Sequence, residues 1–136
     1  MSRSVEFTVV GLPAPQGSKT VFRGRAVDSS KYLKPWRERV RLYAWNAMHG
    51  QPLFKGEVSG VMTFWLYRPK NAPRHRILTA DKRPDLDKIT RAIMDACTGI
   101  VYKDDAQVVH LILAKHVAAY GKKPGVRIQL SEGRTE

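Results

Sequence analysis

Residues Glu57 to Tyr67 carry apolar side chains on both sides of an extended chain: Met62, Phe64 and Leu66 on one face, Val61, Trp65 and Tyr67 on the other. Successive side chains of a strand point to opposite faces, so such a segment is predicted to be a central strand. The rest of the sequence must then supply its neighbours and cover. Val5–Val10, Val108–Val117 and Val126–Leu130 are rich in β-branched residues and are predicted as strands. Trp36, Val40, Tyr43, Ala44 and Ala47 recur at helical spacing behind Pro35, which suits the first turn of a helix running to Met48. A second helix is predicted from about Asp87 to Thr98, where Ile89, Ala92, Ile93 and Ala96 form one apolar stripe and Gly99 fits the position after the C-cap. The order β, α, β, loop, α, β, β describes an α/β or α+β domain: a small mixed sheet with two helices packed on it. At 136 residues the chain fits one domain, 1–130, with residues 131–136 expected as a disordered tail.

Two long segments lack periodicity and are predicted as loops. Residues 16 to 34 carry Lys19, Arg23, Arg25, Lys31 and Lys34; residues 68 to 83 carry Arg68, Lys70, Arg74, Arg76, Lys82 and Arg83. Long structureless segments in compact domains are usually functional. Twenty-four Lys and Arg against twelve Asp and Glu give a net charge of +12, which points to a polyanionic partner, nucleic acid first. Membrane binding is disfavoured, because most cations lie in loops rather than on an amphipathic helix and no uncharged apolar run is long enough to span a bilayer. With no signal-peptide pattern at the start, the protein is expected in the cytoplasm. The single cysteine, Cys97, falls in the apolar helical pattern and is expected to be a buried, reduced thiol. One Cys and four scattered His residues build no zinc site.

Against this basic background, six of the twelve acidic residues fall between Asp81 and Asp105, with Asp85-Leu86-Asp87 and Asp104-Asp105 as two tight groups one helix apart. Asp85 and Asp87, in extended conformation ahead of the helix, would project to the same side. If the chain folds back along the helix, Asp105 is expected near the same point. Converging carboxylates are costly unless a cation sits between them, and Mg²⁺ bridging to phosphate is the natural occupant. The alternative is that Asp85 or Asp87 caps the helix and that Asp104-Asp105 is only a turn. Gly11 to Thr20 imitates a phosphate-binding P-loop, but the glycines are one residue too far apart, Ser18 displaces Lys19, and no helix is predicted to follow; no nucleotide cofactor is expected. Pro84-Asp85 does not open a restriction-type nuclease motif, because no Asp or Glu stands two residues before a lysine downstream. Trp36, Trp45 and Trp65 are expected in the core; Tyr102, on the turn beside the acids, is the aromatic expected to contact nucleic acid.

The stretch from Arg83-Pro-Asp85-Leu-Asp87 through Arg91 and Asp95, then Lys103-Asp104-Asp105-Ala-Gln107 and Lys115, resembles the RusA family of Holliday-junction resolvases. Gly11-Leu-Pro13 to Lys19 and Lys34-Pro-Trp36-Arg look similar to the same family, so the likeness covers most of the chain. The resemblance implies a homodimeric, Mg²⁺-dependent endonuclease, Mn²⁺ able to substitute, that binds four-way DNA junctions and makes paired nicks in strands of like polarity. It implies Asp85, Asp87 and Asp105 as catalytic metal ligands, with Asp104 beside them. It also implies a functional lysine four residues after the second aspartate of the DLD motif, where this chain has Arg91. Either Arg91 acts electrostatically or Lys88, at a position where the family commonly has asparagine, takes the role. Lys19, Arg23, Arg25, Arg74, Arg76, Lys82, Arg83 and Lys115 are the expected contacts to the DNA backbone. Two other functions remain open on sequence: a non-catalytic nucleic-acid-binding protein, and a nuclease of this fold acting on flaps or forks.

Overall fold

The computed structural model describes residues 3–17, 19–22, 25–28 and 30–135. A mixed four-stranded sheet is built from β1 (Ser4–Val10), β4 (Val58–Leu66), β5 (Val108–Val117) and β6 (Gly125–Glu132), in the order β1-β6-β4-β5. The segment predicted as central is central: β4 pairs antiparallel with β6, Met62 opposite Ile128, and parallel with β5, Phe64 opposite Lys115. The helices α1 (Ser30–Met48) and α2 (Leu86–Cys97) complete an α+β fold. The parallel pair β4 and β5 is joined through α2, since parallel neighbours need a crossover.

Both helices cover one face of the sheet. Alternation delivers Val5, Phe7 and Val9 of β1, Val58, Met62, Phe64 and Leu66 of β4, and Val126, Ile128 and Leu130 of β6 to that side, where all are buried. They meet Trp36, Val40 and Ala44 of α1 and the predicted stripe Ile89, Ala92, Ile93 and Ala96 of α2. Burying a Val, Leu, Ile or Phe side chain contributes about 1.5–3 kcal/mol, so this interlayer supplies most of the driving force for folding. Cys97 is fully buried, and burial pushes its thiol up to about 12, which leaves no nucleophilic thiolate. Gly99 has φ of +84°, the left-handed conformation predicted for it past the end of α2.

The other side of β4 is less covered than its composition implied. Val61 is 37% exposed, its β5 partner Ile112 is 57% exposed, and Trp65 is half-buried opposite His116. No helix of the described residues is long and apolar enough to cross a membrane.

Several expectations need correction. Residues 16 to 34 do not form one loop: β2 (Lys19–Phe22) pairs antiparallel with β3 (Arg25–Asp28), and α1 begins at Ser30, placing Pro35 inside it. As expected, no helix follows the P-loop-like segment directly; the strand β2 does, and Gly11 serves packing, since a Cβ there would come within 2.8 Å of the Trp36 ring. Trp45 lies on the outer side of α1 and is 65% exposed, whereas Trp36 is in the core. The expected disordered tail instead continues β6 to Glu132, whose carboxylate accepts from Arg3 and from the backbone of Lys55 at 2.7 Å; further on, Arg134 O accepts from Glu57 N.

Candidate active site

α2 starts where the chain leaves extended conformation at Asp85, whose φ and ψ are −69° and 139°. Asp85 occupies the N-cap position, yet its side chain makes no capping hydrogen bond. Capping therefore does not account for this carboxylate. Both Asp85 and Asp87 are exposed at the positive end of the helix, where anionic groups are favoured. The Lys88 ammonium stands 3.7 Å from Asp85 Oδ2, a solvated pair of small energetic weight. Among the described residues Asp87 has no cation within ion-pair distance. Arg91 lies one turn beyond Asp87 and is also exposed, so spacing puts it on the same flank of the helix.

The approach to α2 is fixed from below. Lys115, on the helix-facing side of the edge strand β5, donates from Nζ to the carbonyls of Lys82 at 2.8 Å and Pro84 at 2.9 Å. An ammonium has three N–H donors, and two are spent on the backbone that leads into Asp85. The expected DNA contact at Lys115 is thus a brace under the acidic segment. Gln16 performs the matching task above: its N–H donates to Lys88 O at 3.1 Å and its side-chain amide donates to Asp95, which also lies 4.0 Å from Arg37. Asp95 is thereby a docking point for the Gly11–Gly17 loop. Asp81 accepts from Thr79 at 2.8 Å, and that bond holds its carboxyl below the usual range.

The second acidic group has a different construction. Asp104 Oδ1 accepts from Ala106 N at 2.9 Å and forms a capping box with Gln107 around the 3-10 turn Asp105–Gln107. The Gln107 amide is used at both ends: Oε1 accepts from the N–H groups of Lys103 and Asp104, and Nε2 donates to Phe54 O and Gly56 O. The expected ligand Asp104 is therefore a structural cap, while Asp105, half-buried, is presented by a turn held by that cap and by the four hydrogen bonds of the Gln107 amide. Tyr102 is fully buried, its hydroxyl donating to Met94 O at 2.8 Å, and burial raises its pKa. It anchors this turn to α2 and cannot be the expected nucleic-acid contact.

These anchors also show that one chain does not bring its acids together. Tyr102 ties the Asp104-Asp105 turn to the C-terminal end of α2, whereas Lys115 ties β5 to the N-terminal end. At 1.5 Å per residue, the 12 residues of α2 separate the ends by about 18 Å. The chain does fold back along the helix, but it is Lys115 rather than Asp105 that arrives beside Asp85. No group of three His, Cys, Asp or Glu among the described residues could hold a metal ion. The donor set at the head of α2 is chemically suited to a hard cation, two carboxylates on exposed backbone, and is incomplete within one chain.

Around the acids, Arg74, Arg76, Lys82 and Arg83 are exposed. Arg68 stiffens the 68–83 segment by donating to Pro73 O, to Arg76 O at 2.7 Å and to Ala118 O at 3.5 Å. Lys19 and Arg25 belong to β2 and β3, and Arg23 lies outside the described residues. The contributions of Gln16 and Gln107 were not read from sequence. A glutamine between prolines and glycines, and one two residues after a paired aspartate, were the available signals.

A family model described as Endodeoxyribonuclease RusA matches residues 8–131, a range that includes Asp85, Asp87, Arg91, Asp105 and Lys115. The chain is also similar to an uncharacterised Bacillus subtilis (strain 168) protein, YqaN, at 30% identity over 145 aligned positions covering 94% of this chain and 96% of the relative.

Proposed function

The chain belongs to the RusA family of endodeoxyribonucleases, and from that membership we propose a cytoplasmic, Mg²⁺-dependent resolvase that cuts four-way DNA junctions as a homodimer. The observation that carries the proposal is the pair Asp85 and Asp87: exposed, with Asp85 free of the capping role, and set on backbone that Lys115 and Gln16 fix from two sides. Asp85 and Asp87 would hold the ion, with Mn²⁺ as a substitute. When bound, the ion supplies positive charge against the scissile phosphate and a more acidic water. Arg91 binds a non-bridging phosphate oxygen; it cannot give up a proton near neutral pH, so its part is electrostatic. Lys88 stays beside Asp85 as a second cation for the same phosphate group. Arg74, Arg76, Lys82 and Arg83 position the flanking backbone without reading sequence.

Asp105 enters through the second copy. β5 forms an edge of the sheet, is ten residues long, and exposes Val109 and Ile112 at 57% each. Open apolar edges of this length invite pairing. Two β5 edges paired antiparallel about a two-fold axis would set the Lys115 end of one strand against the Val108 end of the other. The DLD pair of one protomer then faces the Asp105 turn of its partner, and the dimer has two composite sites related by symmetry, as paired nicks require.

Incubation with Mg²⁺ and labelled four-way junction, flap and plain duplex tests the activity. Symmetric nicking confined to the junction is the expected outcome, and Asp87→Asn should lower the rate by at least a hundredfold while still binding the junction. Cleavage of flaps alone moves the substrate; Mg²⁺-dependent nicking by Asp87→Asn at the wild-type rate removes the aspartate from the reaction.

A further inference from the structure

Beyond the acidic site, one cleft has the chemistry of a nucleobase receptor. Tyr67 leaves the end of β4 and Tyr120 sits in the turn between β5 and β6; the two rings are 53% and 55% exposed and line the same cavity of about 260 Å³. Lys70 and Lys122 rim it, no acidic residue is among its lining, and the Arg74 guanidinium lies over the Tyr120 ring at 5.0 Å. The frame is preformed. Ala118 N donates to Leu66 O at 2.9 Å, Lys122 N closes the Tyr120 turn on Ala119 O at 2.9 Å, and Arg68 braces the facing loop. Exposed tyrosines in a cleft whose charged lining residues are all cations match the stacking platforms of proteins that take single-stranded nucleic acid, where the ring holds the base and the cations hold its phosphates.

We propose that this cleft binds one unpaired base of the DNA substrate. The volume falls below the roughly 300–1,000 Å³ of sites that enclose a whole small ligand and suits a single ring system. A base inside a duplex cannot reach it, so the cleft selects DNA with a base out of its stack. Location gives the selection a purpose. Lys115, three residues before Ala118, bonds the carbonyl of Pro84, so the cleft opens at the end of the sheet where Asp85 begins α2. A strand that leaves its base between the tyrosines continues toward the acids. The inference deepens the junction-cleaving function proposed above and rests on it only for the purpose of the cleft.

The test uses the full-length protein without divalent metal, so that binding is read apart from cleavage. Two probes are compared by fluorescence anisotropy: a duplex with two unpaired thymines and the same duplex fully paired. The wild type is expected to prefer the unpaired probe. Tyr67→Ala with Tyr120→Ala should weaken that probe about tenfold or more, from the loss of stacking, and leave the paired one unchanged; the corresponding Phe variants should bind as wild type. 5-Iodouracil at the unpaired position should cross-link on irradiation to Tyr67 or Tyr120. Equal affinity of the Ala variant and wild type for the unpaired probe, or cross-links only elsewhere, overturns the proposal even if junctions are cut. Loss of both probes together, with the circular dichroism of the wild type, overturns it as well. A base-selective cleft in a protein that cuts no junction would leave this inference standing and remove the nuclease function instead.

Discussion

At the scale of single residues, Lys115 separates two roles that charge alone cannot. A lysine on phosphate contributes to affinity and to its salt dependence; a lysine on carbonyls shapes the segment it holds. Both donors described go to Lys82 O and Pro84 O. Lys115→Met is therefore expected to cost about 1–2 kcal/mol of stability by thermal or urea unfolding. It should slow cleavage while the salt slope of DNA binding stays as in wild type. A slope smaller by about one would return Lys115 to the phosphate backbone. Arg91 makes the opposite case: Arg91→Lys keeps the charge and should retain most activity, whereas Arg91→Met should lose it, with rates on a labelled junction deciding. Residue-scale placements were legible at the surface, where Asp85, Asp87 and Arg91 are exposed on or just ahead of the N-terminal half of α2. They were illegible where a side chain turns inward, because a sequence shows that residue 115 is a lysine but not that its ammonium meets carbonyls.

Among the elements, the 3-10 turn Asp105–Gln107 takes Asp104 as its cap, and under the proposed function Asp105 carries the chemistry. Asp104→Asn keeps a good capping acceptor and is expected to leave both stability and cleavage intact; Asp104→Ala should cost about 1 kcal/mol. Asp105→Asn should abolish cleavage with little change in unfolding temperature, and the pairing of a junction assay with thermal denaturation distinguishes the two. Helix α2 was legible because Ile89, Ala92, Ile93 and Ala96 repeat at its period and Gly99 ends it. The hairpin β2–β3 was hidden because Lys19–Phe22 and Arg25–Asp28 are four residues each, too short for an alternating pattern among glycines and cations. In α1 the apolar stripe was found, but Trp45 is off it, and hydrophobicity alone assigned to the core a ring that faces solvent. The tail past Leu130 looked polar and loose; its order comes from partners distant in sequence, Arg3 and Lys55, which no local pattern reveals.

For the whole molecule, a net charge of +12 predicts a DNA affinity that falls steeply with salt, and that prediction follows from composition alone. The arrangement of the acids did not. Their spacing along the chain pointed to convergence, and α2 instead stands between them as a strut of about 18 Å. Composite sites in a two-fold dimer reconcile three carboxylates with that distance, and they have a consequence that a site within one chain does not. Asp87→Asn and Asp105→Asn homodimers are both expected to be inactive. Their heterodimer, isolated through two different affinity tags, combines an intact DLD pair on one protomer with an intact Asp105 on its partner. The account predicts that this heterodimer nicks one strand of a four-way junction in Mg²⁺ at a rate comparable to one wild-type site; a heterodimer as inactive as its two parents would contradict it.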